Sequence, residues 1–172
     1  MAEERTQRRL AAILAADVVG YSRMMGVNEA GTLTALKAWQ RDIVQPLMTK
    51  HYGRVVKLMG DGVLAEFASA VNAVECAVNM QEAMAAANEG VPEERKIILR
   101  VGINLGDVIV EGSDLYGDGV NVAARLEAMA EPGGSVSPMT PIARSATSSI
   151  SPLRMPANTN SKTSHGPCAS SV

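Results

Sequence analysis

Two aspartates in the first third of the chain are the side chains with the clearest chemical potential. Asp17 interrupts an apolar segment that begins at Ala11, and Asp61 lies between two short runs of β-type residues. An ionised carboxylate inside an apolar strand costs several kcal/mol unless another group pairs with it. Asp17 is therefore expected to have either a basic partner or a metal ion.

The segment around Asp61 predicts a β-hairpin. Apolar residues flank Met59-Gly60-Asp61-Gly62 on both sides, and an Asp-Gly pair between such runs is a strong hairpin signal. Asp61 could simply shape this turn. If its strand neighbours that of Asp17, however, the two carboxylates would repel by roughly 4 kcal/mol at ~4 Å and an effective dielectric of about 20. A divalent cation would remove that repulsion, and oxygen-only ligands favour Mg²⁺ or Mn²⁺.

The elements that must position these residues alternate in type along the chain. Asn28 can cap a helix with apolar residues at three- and four-residue spacing, which Pro46 should kink or divide. A second helix is predicted from about Ala70, and residues 96–111 read as a strand pair or one long bent strand. The apolar face of the second helix is predicted to contain Val71, Val74, Val78 and Met84. The order strand, helix, hairpin, helix, strand predicts an α+β fold with a ferredoxin-like β-α-β-β-α-β core.

Composition is that of a soluble globular chain of 172 residues, with 47% hydrophobic and 20% charged residues. No apolar run approaches the roughly 20 residues of a membrane span, and the mixed charges of residues 1–10 are unlike a signal peptide. A cytoplasmic protein without a membrane partner is therefore expected. Cys76 and Cys168 lack metal-site spacing, and the two histidines lack a suitable partner.

The composition changes after Gly134. All 18 acidic residues lie at or before Glu131, and the charged residues of 135–172 are Arg144, Arg154 and Lys162. Three scattered cations without interleaved aromatic residues form a poor phosphate-binding surface, so nucleic acid is not an expected partner. Residues 135–172 are rich in Ser, Thr and Pro, which predicts a disordered tail after a domain that spans residues 1–134.

Four ordered segments of the chain resemble the catalytic domain of class III nucleotidyl cyclases, the adenylate and guanylate cyclases. These segments are Ala16–Ser22, Lys57–Gly62, Arg100–Gly106 and Asp114–Leu126. In this order and at this spacing they are highly specific, and the resemblance runs from about Arg9 to Gly134. Because it ends where the composition changes, the C-terminal part of the domain is expected to be missing or replaced. We hypothesise a change of reading frame or a substituted end.

The resemblance implies a chemical role for several of these residues. Asp17, Asp61 and the backbone carbonyl of Val18 would hold two ions of Mg²⁺ or Mn²⁺ per site. Asn121 would hold the ribose, and Arg125 would stabilise the phosphate in the transition state. These two residues are four positions apart on a helix predicted from about residue 119 to 130, so they share one face. Without the resemblance, both would be interpreted as solvated surface residues.

Lys57 and Asp114 match the positions at which the family reads the purine. Adenine offers a ring acceptor beside a donor amino group, a pattern that a Lys and an Asp complement. The resemblance therefore implies ATP as the substrate and cyclic AMP and pyrophosphate as the products. In the family, the metal-binding aspartates come from one subunit, and the purine readers and the Asn–Arg pair come from its partner. Because this chain carries both halves, a homodimer is implied. The alternative is a catalytically impaired or silent nucleotide-binding or dimerisation module, since the C-terminal elements would be absent.

Overall fold

A mixed sheet with helices on both faces forms the body of the protein in this computed structural model, which describes residues 7–138 and 140–142. The strands are β1 (Gln7–Val18), β2 (Gly53–Met59), β3 (Gly62–Phe67), β4 (Leu99–Glu111), β5 (Asp114–Tyr116), β6 (Ser135–Ser137) and β7 (Thr140–Ile142). The helices are α1 (Tyr21–Val27), α2 (Glu29–Trp39), α3 (Gln45–Lys50), α4 (Ala70–Ala87) and α5 (Asp118–Met129). A π-helical segment, Gln40–Val44, joins α2 to α3, and a 3₁₀ turn, Glu93–Arg95, precedes β4.

The strand order confirms the predicted ferredoxin-like core. The sheet runs β2-β3-β1-β4-β6-β7, and β5 pairs with β4 outside this path. The first four strands in that order pair with one another in antiparallel fashion, whereas β6 runs parallel to β4. The hairpin predicted around Asp61 is β2–β3, and residues 99–111 form the single long strand that was one of the two predicted alternatives.

Strand β1 separates two apolar clusters because its successive side chains point to opposite faces. Leu14 and Ala16 pack with α2, α3 and α4 on one face, while Ile13 and Ala15 pack with α5 on the other. Both faces of its central part are covered, which explains why residues 10–16 of β1 are all apolar and do not alternate. We call the second of these surfaces the α5 face.

The helical segment after β1 agrees with most of the prediction. The Asn28 side chain caps α2 by accepting a hydrogen bond from the Gly31 N–H (3.0 Å). Pro46 directly follows the π-helical segment, and the backbone stays helical at Trp39, Gln40, Val44 and Gln45, so the proline does not divide the helix. The π-helical turn is the irregularity next to the residue that lacks a backbone donor. Helix α1 was not predicted.

The predicted apolar face of α4 is confirmed in part. Met84 is buried and Val74 packs against the core, but Val71 is 64% exposed and Val78 is only partly buried. The other buried positions are Ala73, Cys76, Ala77 and Met80. Small side chains let the helix approach the sheet closely, so they occupy the face that the larger valines were expected to fill.

The structure also departs from the predicted disordered segment at its first residues. β6 pairs in parallel with β4 through Val101 and Ser135, and β7 pairs with β6. The amide side chain of Gln81 donates to the carbonyl of Gly134 (2.9 Å), which fixes the start of this segment. Main-chain pairing of such short strands needs no apolar periodicity, and composition therefore missed them. The remainder of the predicted tail, residues 143–172, lies outside the described residues. Within the described residues, no helix is both long enough and apolar enough to span a bilayer.

Candidate active site

Strands β1, β3 and β4 bring the two predicted metal-binding aspartates to one end of the sheet. Asp17 lies opposite Gly62 on β3 and opposite Arg100 on β4. The Val18 N–H donates to the backbone carbonyl of Asp61 at 3.2 Å. The expectation that the strand of Asp17 neighbours the hairpin of Asp61 is therefore confirmed.

The basic partner of Asp17 is Arg100. Its Nη2 donates to Oδ2 of Asp17 at 2.8 Å, and its Nε donates to Oδ1 at 3.2 Å. Both side chains are partly buried, and the hydrogen bond to Asp17 together with the nearby carboxylates raises the pKa of Arg100 against the effect of burial. The bidentate geometry explains how a carboxylate can lie at the end of an apolar strand.

A third acidic residue, Glu127 on α5, was not predicted to belong to this group. Its Oε1 lies 3.5 Å from Nε of Arg100, an ion pair too long to count as a hydrogen bond, so this buried oxygen has no hydrogen-bond partner among the described residues. Burial raises the pKa of Glu127 to about 7, the neighbouring Asp17 carboxylate raises it further, and Arg100 offsets only part of the shift. The one sequence signal that could have placed Glu127 in this group is its position four residues after Ala123, which puts both residues on the inner side of α5.

Asn121 and Arg125 lie on the outer side of the same helix. Both side chains are exposed, whereas Ala123 is fully buried and Glu127 contacts Arg100. Residues two positions apart on an α-helix point about 200° apart. The structure therefore does not bring Asn121 and Arg125 together with Asp17 within one chain.

A β-bulge places Lys57 on the α5 face. The register of β2 against β3 shifts between Val55 and Lys57, so that Lys57 lies opposite Leu64. Leu64 belongs to the apolar cluster beneath α5, as does the partly buried Val56. Simple alternation along β2 would have turned Lys57 to the other face, and the bulge therefore re-aims the exposed lysine.

Asp114 begins β5, which folds back over the α5 face and lies against β2. The next residue, Leu115, packs into the apolar cluster on that face. The hydroxyl of Tyr116 donates to Oδ2 of Asp114 at 3.3 Å, and the charge of Asp114 raises the pKa of this tyrosine. Lys57 and Asp114 thus belong to neighbouring elements on the face that also carries Asp17.

Comparison with known proteins identifies the family of the chain. A family model described as the adenylate and guanylate cyclase catalytic domain matches residues 4–143. The chain belongs to this family. It is 64% identical over 134 residues to a putative adenylate cyclase 3 of Rhizobium meliloti and 38% identical over 128 residues to an adenylate cyclase of Streptomyces coelicolor.

These two alignments cover 78% and 74% of the chain but only 23% and 32% of the relatives. The chain therefore spans only about a quarter to a third of the length of these two relatives. A crystal structure of an adenylate/guanylate cyclase/hydrolase from Silicibacter pomeroyi is similar in fold, with a TM-score of 0.73 and 46% identity. That similarity covers 77% of each chain.

The donor set at the end of the sheet fits the divalent metal that cyclase domains typically use. Asp17 and Asp61 would supply hard oxygen ligands, and each oxygen of Asp17 keeps a lone pair that Arg100 does not occupy. Among the described residues, no group of three or more His, Cys, Asp or Glu side chains is arranged as a metal site. Two carboxylates with water and phosphate oxygens are a suitable set for Mg²⁺, which binds few protein ligands.

Proposed function

We propose that this chain is the catalytic domain of an adenylate cyclase, which converts ATP to 3′,5′-cyclic AMP and pyrophosphate. The observation that carries the proposal is the convergence of Asp17 and Asp61 at one end of the sheet. Lys57 and Asp114 lie on neighbouring elements of the same face. Asp114 pairs with Glu111 at one end of β4, whereas Asp17 pairs with Arg100 at the other end, so the two readers would serve the site of a second copy of the chain. We propose that these two residues read the adenine.

In the proposed reaction, the ribose 3′-oxygen forms a bond to the α-phosphorus while the bond to the pyrophosphate oxygen breaks. The 3′-hydroxyl proton leaves to solvent. Chemistry of this kind depends on positioning and charge neutralisation more than on covalent catalysis. Asp17, Asp61 and the carbonyl of Val18 would hold the metal, which when bound acidifies the 3′-hydroxyl and neutralises phosphate charge. Arg100 fixes the orientation of the Asp17 carboxylate.

Asn121 and Arg125 are proposed to act on a site of a second copy of the chain. Both are exposed on the side of α5 that faces away from Asp17 and Arg100 of their own chain. In a symmetric dimer with two equivalent sites, Asn121 would hold the ribose and Arg125 would stabilise the charge that develops on the phosphate. An isolated monomer would then be inactive.

Mixing two inactive variants tests this arrangement. Asp61→Ala and Arg125→Ala should each lower cyclic AMP production by roughly 10²–10³-fold, the usual effect of removing one preorganised transition-state group. A mixed dimer has one site with both lesions and one intact site. With random pairing about half of the dimers are mixed, so activity should recover to roughly a quarter of that of the unmutated chain.

The matched control is a mixture of Asp61→Ala with Asp17→Ala. Both lesions affect the same half-site, so every site of every dimer stays defective and no activity should return. The dimer fraction of each mixture is measured by size-exclusion chromatography with light scattering. The shared site would be refuted if dimers form and the unmutated chain is active, but activity returns in neither mixture.

The second candidate is a silent nucleotide-binding or dimerisation module. The observation in its favour is that Arg100 already engages both oxygens of Asp17. Such a module would bind ATP in calorimetry but produce no cyclic AMP with Mg²⁺ or Mn²⁺. Measurable cyclic AMP from the purified chain would eliminate this candidate.

A further inference from the structure

A second ion-pair cluster on the α5 face has no part in the reaction proposed above. Glu66 on β3 is 8% exposed at its side chain, and each of its carboxylate oxygens accepts from a different arginine. Arg54 Nε donates to Oε1 at 2.7 Å, and Arg9 Nη2 donates to Oε2 at 2.6 Å. Burial by itself would raise the pKa of Glu66, but the two arginines outweigh burial and lower it.

Arg54 makes one contact that Arg9 does not. Its Nη1 donates to the backbone carbonyl of Ser113 at 3.1 Å. Ser113 lies in the turn between β4 and β5, after Gly112 with its left-handed backbone (φ 61°) and directly before Asp114. Among the described residues, this is the side-chain hydrogen bond that joins β2 to that turn.

The same arginine therefore lies between the two proposed purine readers. It is three residues before Lys57 on β2, and through Ser113 it holds the residue next to Asp114. Glu66 orients the planar guanidinium so that one nitrogen faces the carboxylate and another faces the carbonyl. A lysine has a single nitrogen on a flexible stem and cannot reproduce this fork.

We propose that Arg54 is a positioning residue that fixes the spacing between Lys57 and Asp114 and so sets the preference for adenine over guanine nucleotides. The inference rests on the proposed function, since it assumes that these two residues read the purine. Arg54 does not contact the nucleotide in this scheme. It acts by tying the β4–β5 turn to β2.

The test compares Arg54→Ala with Arg9→Ala in the full chain. Each variant removes one of the two arginines from Glu66, but only Arg54→Ala also removes the contact to Ser113. A misplacement of about 1 Å in a site can cost up to roughly 10²-fold. We expect the ratio of kcat/KM for ATP to that for GTP to fall about tenfold in Arg54→Ala and to change less than about twofold in Arg9→Ala.

A second measurement does not depend on turnover. Amide hydrogen exchange of residues 111–114 should accelerate at least about fivefold in Arg54→Ala and remain unchanged in Arg9→Ala, because only the first frees the turn. Arg54→Lys keeps a positive charge beside Glu66 and serves as the variant that stays folded if the alanine variant does not. It should show the exchange and specificity changes of Arg54→Ala.

Lys57→Ala separates failure of this inference from failure of the proposed function. If Lys57→Ala changes the ATP to GTP ratio but Arg54→Ala and Arg54→Lys do not, the inference is wrong while the purine assignment stands. Equal effects of the Arg9 and Arg54 variants on exchange and on the ratio would also overturn it. If the unmutated chain makes no cyclic AMP, the ratio is replaced by the affinities for ATP and GTP, measured by calorimetry with the same expected pattern.

Discussion

Gly102→Ala should separate α5 from the sheet and thereby disturb the acidic group at its end. Gly102 lies on β4 directly beneath α5, and a β-carbon there would press against the main-chain nitrogen of Glu127 and the carbonyl oxygen of Ala123. It would also lie 2.8 Å from the α-carbon of Glu127. Ordinary carbon contacts are about 3.5–4.0 Å, so the helix must move by about 1 Å.

The displacement of α5 should lower the free energy of unfolding. Inserting a methyl group into a packed core typically costs about 1–3 kcal/mol, and main-chain obstacles cannot rotate away as side chains can. We therefore expect the upper end of that range in urea unfolding. The same displacement moves Glu127 relative to Arg100, and a shift of 1 Å can lower the rate by up to roughly 10²-fold.

Gly26→Ala is the matched control. Gly26 lies in α1, where a β-carbon would meet nothing within 4 Å. Alanine in place of glycine within a helix stabilises by up to about 1 kcal/mol. Cyclic AMP production is measured at a temperature at which circular dichroism shows both variants to be folded. A Gly102→Ala protein as stable and as active as Gly26→Ala would refute the close approach of α5 to β4.

Two further predictions concern buried titratable groups. Glu66→Gln should cost about 1–3 kcal/mol at pH 7, because two partly exposed arginines lose a charged acceptor. Because folding lowers the pKa of Glu66, the stabilisation is present above the unfolded pKa of about 4.3 and is lost as pH falls through the folded pKa. The difference in the free energy of unfolding between the two proteins, measured in urea, should therefore shrink by pH 3. A difference that stays constant with pH would contradict this. Burial raises the pKa of Cys76 to about 11, so about one thiol in a thousand is ionised at pH 8. In a Cys168→Ser background, a thiol reagent at pH 8 should label Cys76 only after urea unfolding, and rapid native labelling would contradict its burial.

The features that the sequence predicted correctly depend on neighbouring residues. The β2–β3 hairpin follows from an Asp-Gly pair between apolar runs, and the cap of α2 follows from Asn28 ahead of a periodic segment. The strand of Asp17 is recognisable because its central part, covered on both faces, is a continuous apolar run. The inner face of α4 was mispredicted in part, because size and hydrophobicity favoured valines, whereas close helix packing selected Ala73 and Ala77.

The sequence by itself therefore determined the order of the core elements and singled out the two aspartates, because local turn and capping signals and apolar runs need no knowledge of distant partners. Only the tertiary structure decided what those aspartates meet. Arg100 is 83 positions from Asp17, and the antiparallel register of β1 and β4 is what makes them partners. One bulge in β2 decides the face of Lys57, and the docking of α5 turns Glu127 inward and Arg125 outward. Such relations depend on register and helix rotation, which shift with a single residue and leave no mark in composition or periodicity.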